Sequence, residues 1–391
     1  MRITNLSTLA LATKYEEPVV DALYPVNERQ SLLIFIDTDE NITGIGEAAC
    51  YGGPIISTKT IIEKELKPLI IGEDPFKIER IWKKLFWSSY EHGRRGIVLT
   101  AIGGIDIALW DIIGKVCKQP VYKLCGAYRD KILAYASGGY YKRGKGLKEL
   151  TNEVKEYIEK GFRAVKIKIG RNNDIPLSPI DLIDCDISKL SFEEDLERVF
   201  TVRKIIGKDN KLMVDANNSW IPSIAIEIGK ELEKIGVYFL EEPVPTDDIE
   251  GSIRVADALT LQIAGYETEQ GLFGFKDLIT RHAVDIVQPD TIWVGGFTEA
   301  RKIAALAQAY NKICIPHNFG SPVGTLVNLH FVASIPNSQM LELDCNPNPL
   351  RDELLEEPIE IDQYGMIHVP EKPGFGIELN KKALSKYLVK D

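Results

Sequence analysis

The chain has 391 residues and a formal net charge of −10, from 47 Lys and Arg against 57 Asp and Glu. That length excludes a single small domain, and the acidic balance argues against nucleic-acid and membrane partners, whose phosphates it would repel. With 45% hydrophobic and 27% charged residues, the composition is that of an ordinary globular protein, able to bury roughly three quarters of its unfolded surface.

The first apolar stretch, Leu6 to Ala12, is interrupted by Ser7 and Thr8 and followed by Lys14, Glu16 and Glu17. It is too short and broken for a signal peptide, and no apolar run is read as a membrane span, so a cytoplasmic protein is expected. The six cysteines form no C-x-x-C pair and are read as reduced thiols. Ser31 to Asp37 and Ile42 to Glu47 flank the turn-rich TDEN and read as a hairpin. Helical periodicity follows over Ile55 to Leu69, Phe76 to Phe86 and Gly96 to Lys115, which makes residues 1–126 an α+β unit.

From Ile132 the texture changes to short apolar runs alternating with amphipathic helices. Eight strand candidates cover 132–136, 164–168, 212–215, 238–241, 261–265, 285–290, 312–317 and 340–344. Most are spaced about 25 residues apart, room for one helix and one return, as in parallel β/α repeats. Among the intervening helices, Leu147 to Lys160 ends at Gly161 and Ile224 to Ile235 ends at Gly236, while Ser191 with Glu194 reads as a capping box. The expected fold is therefore an α/β barrel over 127–357 beneath a cap over 1–126. Residues 358–391 contain no further repeat and are expected to return to the cap. An insertion over 170–190 follows the second strand, where it could shape the mouth of a site, contact a neighbouring subunit or be a plain surface excursion.

Seven successive strands end in ionisable groups: Lys166 and Lys168, then Asp215, Glu241, Glu267, Asp290, His317 and Glu342. In a parallel barrel, this is the end where catalytic side chains project. Asp215, Glu241 and Glu267, from adjacent strands, would repel one another without a counter-ion, so either an oxygen-seeking cation, most simply Mg²⁺, sits between them, the favoured reading for the set, or each is paired with an Arg or Lys. Glu242 should face away by strand alternation and is kept as the reserve ligand. Lys166 and Lys168 share one face, and two ammonium groups there are expected to depress each other's pKa and make a usable base. His317, one strand after Asp290, is placed for an Asp-His pair. The other four histidines read as surface or structural.

These residues carry a resemblance to the enolase superfamily, and within it to the mandelate racemase subgroup, over nearly the whole chain. GIDIALWDIIGK (104–115) resembles the cap-to-barrel junction, KIK (166–168) the K-x-K motif, and VDANNSW (214–220), FLEEP (239–243) and AGYETEQG (264–271) the metal-ligand strands. QPD through GG (288–296), PHNFG (316–320), LEL (341–343) and the tail PGFGIEL (373–379) complete the ordered set. The resemblance implies a (β/α)7β modified TIM barrel with a capping domain. It also implies Asp215, Glu241 and Glu267 as Mg²⁺ ligands, Lys168 as a base tuned by Lys166, and His317 with Asp290 as the opposing acid/base. Glu342 would donate to the substrate carboxylate as it becomes an enediolate, and Asn217 would lie near bound substrate. Strand six ends in Asp290 rather than a lysine, which favours the racemase-like subgroup over the muconate cycloisomerases. The reaction implied is a sugar-acid dehydration, of an aldonate or aldarate, to a 2-keto-3-deoxy acid. Racemisation or epimerisation through the same enediolate is the alternative, and a non-catalytic binding protein on the same fold a distant third. A homo-oligomer is expected, with substrate choice resting on cap segments 16–29 and 48–57.

Overall fold

In the computed structural model, residues 1–51, 53–173, 175 and 185–389 are described. The middle of the insertion, Asp174 and 176–184, lies outside the described residues, and with it the reading of the insertion as a mouth-shaping or subunit-contacting loop.

The cap opens with an antiparallel sheet in the order β1 (Ile3–Val20), β2 (Pro25–Thr38), β3 (Thr43–Ala48). The hairpin over β2 and β3 was legible in sequence, whereas the 18-residue β1 was not. Its alternation is broken by register shifts between Ile3 and Asn5 and between Lys14 and Val19, so period two is lost to the eye. The apolar stretch over 55–70 is helical but changes pitch, with α-helix at Ile55–Thr60 and Lys67–Ile70 flanking a π-helical segment at Ile61–Leu66.

The sheet packs on the helix Ile97–Cys117, and Gly44 and Gly46 make the contact possible. A Cβ on either glycine would meet a helix carbonyl, of Ala108 or Gly104, at 2.1 Å. This helix has the length and mean hydropathy (1.8) of a membrane span, contrary to the sequence reading, but 83% of its apolar window is buried inside the protein. Asp106 and Asp111, interrupting its apolar run, are satisfied by Thr298 and by the backbone of Ile45 and Phe375. It is the core helix of the cap.

The second unit has eight parallel strands: β4 (Lys131–Gly138), β5 (Ala164–Lys168), β6 (Lys211–Asp215), β7 (Phe239–Glu241), β8 (Gln262–Gly265), β9 (Ile286–Val287), β10 (Ile313–Cys314) and β11 (Met340–Asp344). Each successive pair from β4 to β10 is hydrogen bonded, and β11 returns beside β4, which curls the sheet into the (β/α)7β barrel. Among the described residues, seven helices cross between consecutive strands. Strands β9 and β10 shrink to two residues because Pro289 and Pro316 follow closely and cannot donate to a ladder. In the last segment, β12 (Met366–His368) pairs antiparallel with β4, Phe375 bonds to Asp111 of the cap helix, and Leu388 bridges to Leu11 of β1.

Strand periodicity decides where the site sits. Tyr135, Ala164, Met213, Phe239, Ala264, Ile286, Ile315 and Met340 form a separate apolar cluster, one residue from each strand or its immediate extension. Two residues further along the same inward faces stand Lys166 after Ala164, Asp215 after Met213, Glu241 after Phe239 and Glu342 after Met340. A hydrocarbon layer thus closes the barrel below a layer of charge, since side chains i and i+2 share a face.

Candidate active site

The ladder register fixes the metal-binding candidates. Lys168 pairs with Asp215 and Asp215 with Glu241, while Glu241 sits opposite Ala264 three residues before Glu267. One carboxylate oxygen from each of Asp215, Glu241 and Glu267 lies within 4.8 Å of the others. Glu267 follows the strand end and is turned inward, its backbone N–H donating to Glu242 Oε1 at 3.0 Å. The donor set is all oxygen; among the described residues Asn217 Oδ1, lining the same cavity, is buried without a hydrogen-bond partner, and Glu267 Oε2 has the His317 ring nitrogen as its ion-pair contact. Such a set fits a hard divalent cation.

The lysines sit directly against these acids. Lys166 Nζ lies 2.6 Å from Glu241 Oε1, 2.8 Å from Glu342 Oε1 and 3.6 Å from Asp215 Oδ2, and Lys168 Nζ bonds Asp215 Oδ2. Here the sequence expectation is corrected. Burial alone would lower both lysines, but Glu241 and Glu342 around Lys166, and Asp215 and Tyr140 around Lys168, raise both well above the usual range. Lys166 does lower Lys168, but the effect is outweighed by carboxylates from other strands, invisible in a two-residue spacing. The acids respond in kind. Burial would raise Asp215 and Glu342, yet Lys168 and Lys166 respectively bring them down to about 2. Glu241, buried beside Asp215, is pushed up to about 8.

His317 stands on the opposite flank. Its Nδ1 is 2.9 Å from Asp290 Oδ2 and its Nε2 is 3.2 Å from Glu267 Oε2. Burial would lower it, but Glu267 and Asp290 raise it to about 9, so the ring is cationic at neutral pH. The pairing expected of Asp290 and His317 is what the structure places there. Glu342 also accepts from Asn318 N at 3.1 Å, which ties it to the His317 loop. Asn217, in a left-handed conformation (φ 42°), lines the cavity with its backbone N–H on Asp215 Oδ1.

Several residues were missed. Gln288 holds Glu241, its Nε2 donating to Oε2 at 2.8 Å. Glu242 does not turn away: with φ at 44° its carboxylate swings toward the cavity, accepting from Glu267 N and from Asn218 Nδ2 at 2.6 Å. Alternation fails here because the strand has ended. Tyr51 of the cap donates to Asp290 Oδ2 at 3.0 Å, and its ring meets His317 edge-on at 5.7 Å. Glu47, also from the cap, accepts from Ser31, from the hydroxyl and N–H of Ser321 and from Gly324 N, pinning the cap to the start of the barrel helix Pro322–Ser334. Of these two cap residues, Tyr51 lies in the segment 48–57 singled out in sequence, without its partner Asp290 being foreseen, and Glu47 lies just outside it. Of the four remaining histidines, His330 is fully buried, its Nδ1 accepting from Tyr122 N, and burial lowers it to about 3; His92, His282 and His368 are exposed.

Cap and barrel enclose a cavity of about 510 Å³ reaching from Asp21, Arg29 and Tyr51 on the cap to Lys168, Glu267 and His317 below. A set of acids at the mouth of a (β/α)7β barrel, flanked by a lysine and a histidine under a cap, defines the enolase type of enzyme. The model of the mandelate racemase/muconate lactonizing enzyme N-terminal domain matches residues 3–126, and that of the enolase C-terminal domain-like fold matches 149–383. The chain belongs to the mandelate racemase subgroup of the enolase superfamily. It is 39% identical to an arabinonate dehydratase of Saccharolobus solfataricus, over 91% of this chain and 90% of the relative. It is 33% identical to a D-galactarolactone cycloisomerase of Agrobacterium fabrum over the full length of both. Among solved structures, a racemase from Streptomyces coelicolor with bound magnesium superposes with a TM-score of 0.87 at 28% identity, over 99% of this chain and all of that one.

Proposed function

We propose that the protein is a Mg²⁺-dependent sugar-acid dehydratase, which removes the α-proton and the β-hydroxyl to give a 2-keto-3-deoxy acid. The observation that carries this reading is the placement of Lys168 beside Asp215 and of His317 beside Glu267, which puts a candidate base and a candidate acid on opposite flanks of one carboxylate cluster. The arabinonate dehydratase relative supports the dehydration, and the magnesium-bound racemase neighbour supports the metal.

Asp215, Glu241 and Glu267 would hold the cation, whose charge would bind the substrate carboxylate and offset the negative charge that builds on it. With those carboxylates ligated, their hold on the lysines weakens. Lys166 then becomes the neighbour that lowers Lys168, and Lys168 takes the α-proton at Nζ. His317, cationic and oriented by Asp290, delivers a proton from Nε2 to the departing β-hydroxyl. The Glu342–Lys166 pair, 2.8 Å apart, would offer the enediolate its donor through the Lys166 ammonium, which Glu342 holds in place. The hydrocarbon layer beneath and the cap above exclude water. A second reading, cycloisomerisation or racemisation through the same proton removal, is supported by the full-length match to the galactarolactone cycloisomerase.

Incubation with Mg²⁺ and a panel of aldonic and aldaric acids, scored for 2-keto-3-deoxy product, tests the proposal. Formation of that product supports dehydration; isotope exchange or isomer formation without it favours the second reading. Neither, across the panel, contradicts both.

A further inference from the structure

Resting on the sugar-acid reading above, the question is which end of the substrate the cap can tolerate. Three basic side chains line the cavity among the described residues: Lys168, His317 and Arg29. Lys168 and His317 belong to the reacting end, which leaves Arg29, from β2, as the only one to meet the far end of a bound acid. Its charge is already committed. Nη2 lies 2.5 Å from Asp344 Oδ2, Nε donates to the Tyr15 hydroxyl at 2.7 Å and Nη1 to Phe319 O at 3.3 Å. The guanidinium is also stacked 3.4 Å from the Phe319 ring centre. Arg29 and Asp344 are both about 5% exposed, so the pair is desolvated and its charges cancel within the protein.

The cap wall adds the opposite sign. Asp21 lines the cavity, with Oδ1 accepting from the N–H groups of Leu23 and Tyr24, at 2.7 and 2.6 Å. Glu28 lines the same wall. Gly52, Asp174 and residues 176–184, outside the described set, contain no Lys, Arg or His.

The geometry points to a monocarboxylate specificity: the site takes aldonates and rejects aldarates, because Asp21 and Glu28 give the cap wall of the cavity negative charge while Asp344 neutralises the one arginine that, among the described residues, lines it and could receive a second carboxylate. A terminal hydroxyl donates to Asp21, whereas a terminal carboxylate meets a like charge in a confined space, and like-charge juxtaposition is strongly unfavourable.

The test uses full-length, Mg²⁺-loaded protein and matched acid pairs of the same configuration, an aldonate and its aldarate, with kcat/KM from 2-keto-3-deoxy product or C2-hydrogen exchange and Kd from calorimetry. The expected result is a preference for the aldonate of about a hundredfold or more. In Asp21→Asn the preference narrows by about tenfold through better aldarate binding, the change expected of removing one like charge. Asp344→Asn, which frees the charge of Arg29, narrows it independently should Asp21→Asn fail to fold. Equal or preferred use of the aldarate by the wild type overturns the specificity while leaving the sugar-acid reading intact, as does an unchanged preference in both variants. Failure of every pair to bind or exchange overturns that reading and the specificity with it.

Discussion

Tyr51 and His317 converge on one oxygen: the Tyr51 hydroxyl donates to Asp290 Oδ2 at 3.0 Å, and His317 Nδ1 lies 2.9 Å from the same atom. The cap thus enters the catalytic machinery through the carboxylate that orients the histidine. Tyr51→Phe removes one donor from Asp290, concentrates its charge on His317 and raises the histidine pKa further. A fall in kcat of about tenfold is expected, the size of one lost hydrogen bond to a charged group, with the His317-dependent limb of the pH-rate profile displaced to higher pH. The profile, with circular dichroism to confirm the fold, checks it.

Glu47 makes the second link between cap and barrel. Its carboxylate satisfies donors from Ser31, Ser321 and Gly324, all buried by the docking. Glu47→Ala strands them and is expected to cost about 3 kcal/mol of stability. Denaturant titration would measure that, and Glu47→Gln, which keeps one acceptor oxygen, should lose less.

His330 gives a pH dependence away from the site. Burial depresses it to about 3 from an ordinary 6.5, so the unfolded chain binds a proton that the native one refuses. Its contribution is present above pH 6.5 and is lost progressively as pH falls toward 3. Over the upper part of that window, pH 6.5 to 5, the wild type should lose stability relative to His330→Phe as pH falls, since groups such as Glu241, pushed up to about 8, act equally in both, even though the variant is less stable throughout. Equal slopes in urea titrations would remove His330 from the account.

Metal binding is expected to stabilise the fold as well as activate it, because only the native state brings Asp215, Glu241 and Glu267 together. Mg²⁺ added to chelator-treated protein should raise Tm in proportion to the logarithm of its concentration above Kd. Asp215→Asn should blunt the rise and abolish activity.

The barrel was legible because apolar runs of strand length recur with ionisable residues at their ends, and a period of two sends Ala164, Lys166 and Lys168 to one face. Local patterning of that kind survives translation into structure. What was not legible depends on distant chain segments meeting. Nothing near Arg29 announces Asp344, 315 residues away, nor does Tyr51 announce Asp290. The lysine pKa was misread for the same reason: the spacing shows two cations, while Asp215, Glu241 and Glu342 arrive from three other strands. Glu242 escaped because alternation holds only while the strand lasts, and the chain turns left-handed at that residue.

The central claim is that Lys168 removes the α-proton of a sugar acid held at the three carboxylates. The direct measurement is the release of deuterium from a C2-deuterated aldonate into solvent, by wild type, by Lys168→Ala and by chelator-treated protein. Release by the Mg²⁺-loaded wild type alone, with none from the variant or the stripped protein, is the result predicted; undiminished release from Lys168→Ala, or release that ignores the chelator, would contradict it.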